Sequence, residues 1–376
     1  MKYRTMGKLG IQASAFGLGC MRFNGAASGD SIIDEQKAVS LIRRAIDGGV
    51  TYIDTAYVYL DKTSEIVLGK ALLDGYRDRV TIATKVPPDM VQSREDMEKI
   101  LAEELQKLQT DHIDFYLMHA MNRQKWEHMK SIGAPQFFDD MKRAGKIRYK
   151  CFSFHGPYDE FEYILNDWDW DMVQIQYNFM DIENQAGTKG LELAGSKGIP
   201  VVIMEGLLGG RLASAPDNVQ ALYDAFPVKR SAVEWAFRWL CNHPEVAVVL
   251  SGCNEAEQID ENLRIFDTVE TGIMTEEELA LIDSVRAAYV SRTKIGCTGC
   301  RYCMPCPNGV NIPGVFSAWN TASLYNTDPK DDWGFRMLLN NHAGADNCIG
   351  CGACEAACPQ HLDIIDSLAR AWKEIM

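Results

Sequence analysis

The chain has 376 residues, 47% hydrophobic and 24% charged, an ordinary soluble balance with room for one large domain and a smaller one. A formal charge of −14 argues against a nucleic-acid partner, because nonspecific binding to DNA or RNA relies on neutralising phosphates with Lys and Arg. No run reaches transmembrane length and Met1–Gly7 has no apolar signal stretch, so a cytoplasmic protein without a membrane partner is expected.

In chain order, eight short apolar runs alternate with helical patterns between Ala15 and Asn262. The runs are Ala15–Cys20, Tyr52–Thr55, Val80–Lys85, Asp114–His119, Ile147–Ser153, Met172–Tyr177, Pro200–Glu205 and Val246–Ser251. Between the first two, Ala38, Leu41, Ile42, Ala45 and Ile46 recur at helical intervals before Gly48-Gly49 stops the pattern. Similar periodicity predicts helices over Ser64–Leu73, Ser93–Leu108, Gln124–Ala144, Pro157–Leu165, Gly187–Lys197, Val228–Asn242 and Glu255–Phe266. Strands alternating with helices imply right-handed βαβ units and a parallel sheet, and eight units match the size of a (β/α)8 TIM barrel. A doubly wound sheet is the alternative, but no Gly-x-Gly-x-x-Gly follows the first strand. Thr275–Val290 reads as one more amphipathic helix, and 291–296 as a short linker. The expected domains are therefore a barrel over 1–290 and a smaller domain over 291–376.

In such a barrel the active site lies at the C-terminal ends of the strands. Those ends supply Asp54 with Tyr59 after the second strand, Lys85 at the third and His119 at the fourth. A lysine buried there needs a partner, and Asp54 is the candidate. A cationic Lys85 beside Tyr59 is expected to lower the phenol's pKa and make it a usable acid near neutral pH.

The segments Ile53-Asp54-Thr55-Ala56…Tyr59, Ile82-Ala83-Thr84-Lys85 and Asp114-Phe115-Tyr116-Leu117-Met118-His119 resemble those of the aldo-keto reductases. So do Val173-Gln174-Ile175-Gln176-Tyr177-Asn178, Leu208-Gly209-Gly210-Arg211-Leu212 and Glu261-Asn262-Leu263; the likeness runs from about Tyr3 to Val290. It implies NADP- or NAD-dependent reduction of a small-molecule carbonyl (aldehyde, ketone or sugar-like), or the reverse oxidation. Tyr59 would be the general acid, Lys85 its neighbour, Asp54 the partner of Lys85, and His119 the residue that orients the carbonyl. Ser153 and Gln174 carry over as nicotinamide contacts. Gly209, Gly210 and Arg211, with Ser251, carry over to the phosphate loops, where backbone N–H groups at helix starts favour anions. Asn262 matches the residue near the adenine, and Gln258 stands where NADP-preferring relatives often place an arginine. Two departures matter: Phe154-His155 replaces the asparagine that usually follows the serine, and Met204 replaces an aromatic ring that often stacks on the nicotinamide. His155 is left open between a substrate contact and a structural hydrogen bond.

Eight of the twelve cysteines crowd into two runs, Cys297-x-x-Cys300-x-x-Cys303-x-x-Cys306-Pro307 and Cys348-x-x-Cys351-x-x-Cys354-x-x-x-Cys358-Pro359. The second has the bacterial ferredoxin spacing for a [4Fe–4S] cluster, and the first is one residue shorter before its last cysteine. In two-cluster ferredoxins the fourth cysteine of each run ligates the other cluster. The expected sets are therefore Cys297, Cys300, Cys303 with Cys358, and Cys348, Cys351, Cys354 with Cys306. Zinc is the alternative, though its modules usually separate two Cys-x-x-Cys pairs by a longer loop. The region resembles the ferredoxin-like C-terminal extension of a subset of aldo-keto reductases, with helices expected over Gly314–Ala322 and Asp332–Leu339. The remaining cysteines, Cys20, Cys151, Cys241 and Cys253, sit among apolar neighbours and are expected to be buried.

A hydride carries two electrons and a [4Fe–4S] cluster moves one, so direct exchange needs a flavin or radical step, and no flavin motif is present. Either the clusters serve a different electron partner such as a ferredoxin or flavoprotein, or they fold the region and sense the redox state, or the barrel's chemistry is not plain carbonyl reduction. Two other functions stay open: an electron-transfer or redox-sensing protein whose barrel docks a partner, and a cluster-dependent enzyme of specialised metabolism.

Overall fold

The computed structural model describes residues 1–23 and 34–376. Two short strands open the chain, β1 (Tyr3–Thr5) and β2 (Gln12–Ser14), paired antiparallel with Tyr3 opposite Ser14. Sequence periodicity missed both, because three residues carry too little alternation to register.

The eight expected strands then appear with their helices. β3 (Phe16–Gly19) precedes α1 (Glu35–Asp47), β4 (Tyr52–Asp54) precedes α2 (Ser64–Ala71), and β5 (Thr81–Val86) precedes α3 (Arg94–Leu108). β6 (Ile113–Met121) is followed by α4 (Arg123–Ser131) and α5 (Ala134–Arg143), and β7 (Ile147–Phe154) by α6 (Tyr158–Asp167). β8 (Met172–Gln176) leads to α7 (Gly187–Ser196), and β9 (Val201–Met204) to α8 (Asp217–Ala225) and α9 (Ala232–Asn242). β10 (Val246–Ser251) and α10 (Ala256–Phe266) complete the cycle. β3 to β10 form a closed parallel barrel, with β10 paired back to β3. The doubly wound alternative is thereby excluded.

Side chains fill the barrel. Tyr52, Ala83, Phe115, Leu117, Cys151, Met172, Val202 and Val248 form one buried cluster, which Met6 and Ala13 of the N-terminal hairpin join. The hairpin thus packs with the residues that begin the strands, leaving the opposite rim for chemistry. Gly17 is required by this packing, since a Cβ there would stand 2.6 Å from Val248 and 2.8 Å from Leu250.

Two helix expectations need correction. The pattern over Gln124–Ala144 is broken into α4 and α5 because Gly133 turns left-handed (φ 77°) and a proline occupies the first turn of α5. The helix expected from Val228 begins only at Ala232, and α8, which follows Pro216, was not anticipated.

Beyond the barrel come α11 (Glu276–Val290), α12 (Ile312–Tyr325), α13 (Trp333–Asn340), α14 (Ala353–Ala356) and α15 (Ile364–Ile375). Val310, Ile312, Phe316, Trp319, Phe335 and Leu368 are at the centre of a small core there. Segment 291–296, read as a linker, is tied to α12: Lys294 and Ile295 donate backbone N–H bonds to Asn320, whose amide returns one to the Ile295 carbonyl. By proximity the described residues divide into two compact units, 1–23 with 34–209 and 233–275, and 210–232 with 276–376. Among the described residues no helix is long and apolar enough to cross a membrane.

Candidate active site and cysteine region

The register of the sheet brings the strand ends together. Asp54 ends β4 beside Ala83 of β5, and Lys85 follows two residues later, so both side chains enter the barrel at one level. The Lys85 ammonium donates to the Asp54 carboxylate at 2.7 Å, to the Thr55 carbonyl at 2.6 Å and to the Tyr59 hydroxyl at 3.2 Å. These three acceptors match its three donors. The pair is almost wholly withdrawn from solvent, at 1% exposure for Lys85 and 4% for Asp54. The His119 ring meets the Tyr59 ring edge-on, centroids 5.7 Å apart.

Electrostatics assign protons to these groups. Burial pushes Lys85 down, but Asp54 and then Tyr59 more than offset it, so its pKa ends above the ordinary lysine value. Burial lifts the Asp54 carboxyl against the pull of Lys85. For Tyr59 the sequence expectation fails in sign. Lys85 does draw the phenol pKa down, yet burial is the larger effect and leaves it above its usual value. Tyr59 therefore holds its proton at neutral pH. Burial, followed by the Lys85 charge, pushes His119 down to about 3, leaving a neutral imidazole.

The residues assigned to the nicotinamide lie one strand further on. Ser153, buried in β7, accepts from the Ala120 N–H at 2.8 Å, which leaves its own hydroxyl proton free to donate. Gln174, buried in β8, has a side-chain oxygen with no hydrogen-bond partner among the described residues. A carboxamide suits this pair, its N–H₂ meeting the bare Gln174 oxygen and its carbonyl the Ser153 hydroxyl. Gly209 and Gly210 take φ of 68° and 97°, the left-handed region that favours glycine. Arg211 forms an ion pair with Asp332. At the next loop, the Asn262 amide donates to the Ser251 hydroxyl at 3.1 Å and to the Cys253 sulfur at 3.1 Å. Gln258 is engaged locally: its side-chain oxygen closes a capping box at the start of α10, accepting from Asn254 and Glu255.

Sequence reading missed two charged residues at this rim. Arg22, just past β3, lies 3.6 Å from Glu205, just past β9, and its side chain flanks both Gly209 and Gly252. Both follow barrel strands, so the strand-end rule would have found them had all eight ends been read for charge.

In the cysteine region, a cavity is lined by Cys303, Cys306, Cys348, Cys351 and Cys354, and another by Cys297, Cys300, Cys303 and Cys358. Cys306 thus lies with the second run's thiols and Cys358 with the first's. The two runs share a backbone pattern, with positive φ at Gly299 and Arg301 in one and at the equivalent Gly350 and Gly352 in the other. No atom lies within 4 Å of a Cβ built on Gly299 or Gly350, so backbone conformation rather than space selects glycine there. Among the described residues no three His, Cys, Asp or Glu side chains converge tightly enough for a single metal ion. Thiols spread around a cavity suit a cubane, whose irons occupy separate corners, better than one zinc. Cys20, Cys151, Cys241 and Cys253 are buried, and burial raises each thiol's pKa.

Comparison with known proteins agrees. The family model "Aldo/keto reductase family" matches residues 15–287. The chain belongs to the aldo/keto reductase family. It is an oxidoreductase of that family, and "4Fe-4S dicluster domain" matches residues 296–363. Aldo-keto reductase YhdN of Bacillus subtilis is 38% identical over 127 residues, a match spanning 32% of this chain and 38% of that protein. Among solved structures, an aldo-keto reductase of Bacillus halodurans in its holo form has TM-score 0.64 and 25% identity, covering 76% of this chain and 96% of that one. An aldo-keto reductase of Klebsiella pneumoniae in complex with NADPH has TM-score 0.60 and 24% identity, covering 76% of this chain and 95% of that one.

Proposed function

We propose that this aldo/keto reductase reduces a small aldehyde, ketone or sugar-like carbonyl with NADPH or NADH, with Tyr59 as general acid. The observation that carries this reading is the Lys85 ammonium held between the Asp54 carboxylate and the Tyr59 hydroxyl, with neutral His119 edge-on to the phenol. A bound reduced nicotinamide supplies the hydride. As negative charge grows on the carbonyl oxygen, Tyr59 donates its proton, and the nearby Lys85 cation stabilises the phenolate left behind. His119, neutral and beside Tyr59, orients the carbonyl oxygen. Asp54 keeps Lys85 charged and in place. Ser153 and Gln174 hold the carboxamide, while Gly209, Gly210, Arg211 and Ser251 are assigned to the phosphates and Gln258 and Asn262 of α10 to the adenosine.

The eight thiols are read as ligands of two [4Fe–4S] clusters, Cys306 serving with Cys348, Cys351 and Cys354, and Cys358 with Cys297, Cys300 and Cys303. Carbonyl reduction is assigned to 1–290 and electron transfer to 291–376, the latter exchanging electrons with a ferredoxin or flavoprotein. A cytoplasmic location fits a chain that keeps eight thiols unoxidised for iron. The test is anaerobic purification followed by NADPH and a carbonyl panel. Carbonyl-dependent NADPH consumption is expected in the wild type and is to be nearly abolished in Tyr59→Phe, with cluster absorption unchanged by NADPH alone. Full activity in that variant would remove Tyr59 from its role.

A further inference from the structure

His155 directly follows β7, where the sequence departs from the family pattern, and the structure shows what holds it. Its Nδ1 lies 3.2 Å from the Gln185 oxygen, the Gln185 amide nitrogen 3.0 Å from the Gln176 oxygen, and the Gln176 amide nitrogen 2.7 Å from the Asp181 carboxylate. Asp181 is itself fixed, its N–H donating at 3.0 Å to the side chain of buried Asn178.

The direction of every bond in this relay follows from its end. A carboxylate only accepts, so Gln176 must present its amide N–H₂ to Asp181 and its oxygen to Gln185. Gln185 then presents its N–H₂ to Gln176 and its oxygen to His155. An oxygen cannot donate, so His155 must carry its proton on Nδ1. Neighbouring groups displace water from part of the ring and lower its pKa from the ordinary value, so the imidazole is neutral and Nε2 is a bare acceptor. Nε2 makes no hydrogen bond to a described residue and the side chain is exposed, while the His155 N–H donates at 3.2 Å to the carbonyl of Met121, two residues past His119 on the neighbouring strand β6.

We infer that His155 is a specificity residue, an Nε2 acceptor polarised by the Asp181–Gln176–Gln185 relay that selects carbonyl substrates with a hydroxyl donor near the reacting carbon. Hydroxyaldehydes and hydroxyketones satisfy it; analogues that only accept, or that carry a carboxylate, leave the acceptor unpaired or repel it. This rests on the carbonyl-reductase reading above.

Two measurements test it. The first compares kcat/KM for hydroxyacetone and methoxyacetone, which differ in whether the oxygen beside the carbonyl can donate. The wild type should favour hydroxyacetone, and the ratio should fall about tenfold in His155→Leu, the worth of one neutral hydrogen bond. Because the readout is a ratio within each variant, a general loss of activity does not move it. An unchanged ratio overturns the inference while leaving the carbonyl reading intact; absence of turnover with any carbonyl overturns both. The second measurement is independent of turnover: the ¹⁵N spectrum of the His155 ring, assigned by its loss in His155→Leu. It should show the Nδ1–H tautomer in wild type, and Asp181→Asn, which lets the relay reverse, should shift it towards Nε2–H. An Nε2–H tautomer in the wild type overturns the inference.

Discussion

The barrel rim and the cysteine region both gather reactive side chains, but they stabilise them in opposite ways. At the rim the charges complete one another: Lys85 has three acceptors within hydrogen-bonding distance and is buried with Asp54. The site is assembled by protein alone, since eight strands and a filled interior set its geometry. In the cysteine region Cys300 and Cys351 are exposed and the other six thiols of the two runs are only partly buried, lining cavities beside a small core. Thiols offer each other little attraction, so this arrangement depends on what they bind. The geometry of the first region is therefore preorganised, while on the iron–sulfur reading the second gains part of its fold from metal.

The largest contrast should come from removing iron. Chelation, or Cys351→Ser with loss of one cluster, is expected to make 291–376 sensitive to protease while the barrel keeps its far-ultraviolet circular dichroism. Equal resistance with and without iron would show that the helical core suffices. Next comes Tyr59→Phe, which keeps the ring and removes the proton; kcat should fall by about 10²–10⁴, with the thermal midpoint nearly unchanged. Lys85→Met strikes the same site through stability, leaving the Asp54 charge buried and unpaired. It should cost about 3–5 kcal/mol in urea unfolding, partly restored by the double variant with Asp54→Asn.

The smallest effect tests whether the outer shell of the barrel is as fully paired as its rim. Glu104 of α3 is fully buried beside Glu65 of α2 and near the Tyr116 hydroxyl, with no cation as its own salt-bridge partner among the described residues. Burial, then the Glu65 charge, raises the Glu104 pKa well above 4.5. A carboxyl with a raised folded pKa adds stability in acid and loses it as pH climbs past the unfolded value towards the folded one. Glu104→Gln, neutral throughout, should flatten the dependence of unfolding free energy on pH as pH rises above the ordinary carboxylate range. An unaltered slope would mean that Glu104 is ionised in the fold.

The barrel was legible because its strands are near-continuous apolar runs separated by amphipathic helices, a pattern that leaves few topologies. The helix break at Gly133 was visible in composition, yet the apolar period continued across it and masked it. Asp54, Lys85 and His119 stood out because each polar residue closes an apolar run, and Tyr59 because it follows Asp54 by five residues. The state of Tyr59 did not, since a neighbouring cation and burial act in opposite directions and only the depth of the site decides between them. Arg22 and Glu205 could each be found at a strand end, but their pairing and the relay behind His155 join distant segments that no local spacing links.

Sequence alone determined the alternation that makes a barrel, the identity of the strand-end residues and the spacing of the two cysteine runs, because each is a local pattern with a fixed period. Tertiary structure decided which thiols face which cavity, that Tyr59 keeps its proton, and which ring nitrogen His155 leaves bare. Those depend on burial and on bonds between distant segments, which exist only after the chain has closed.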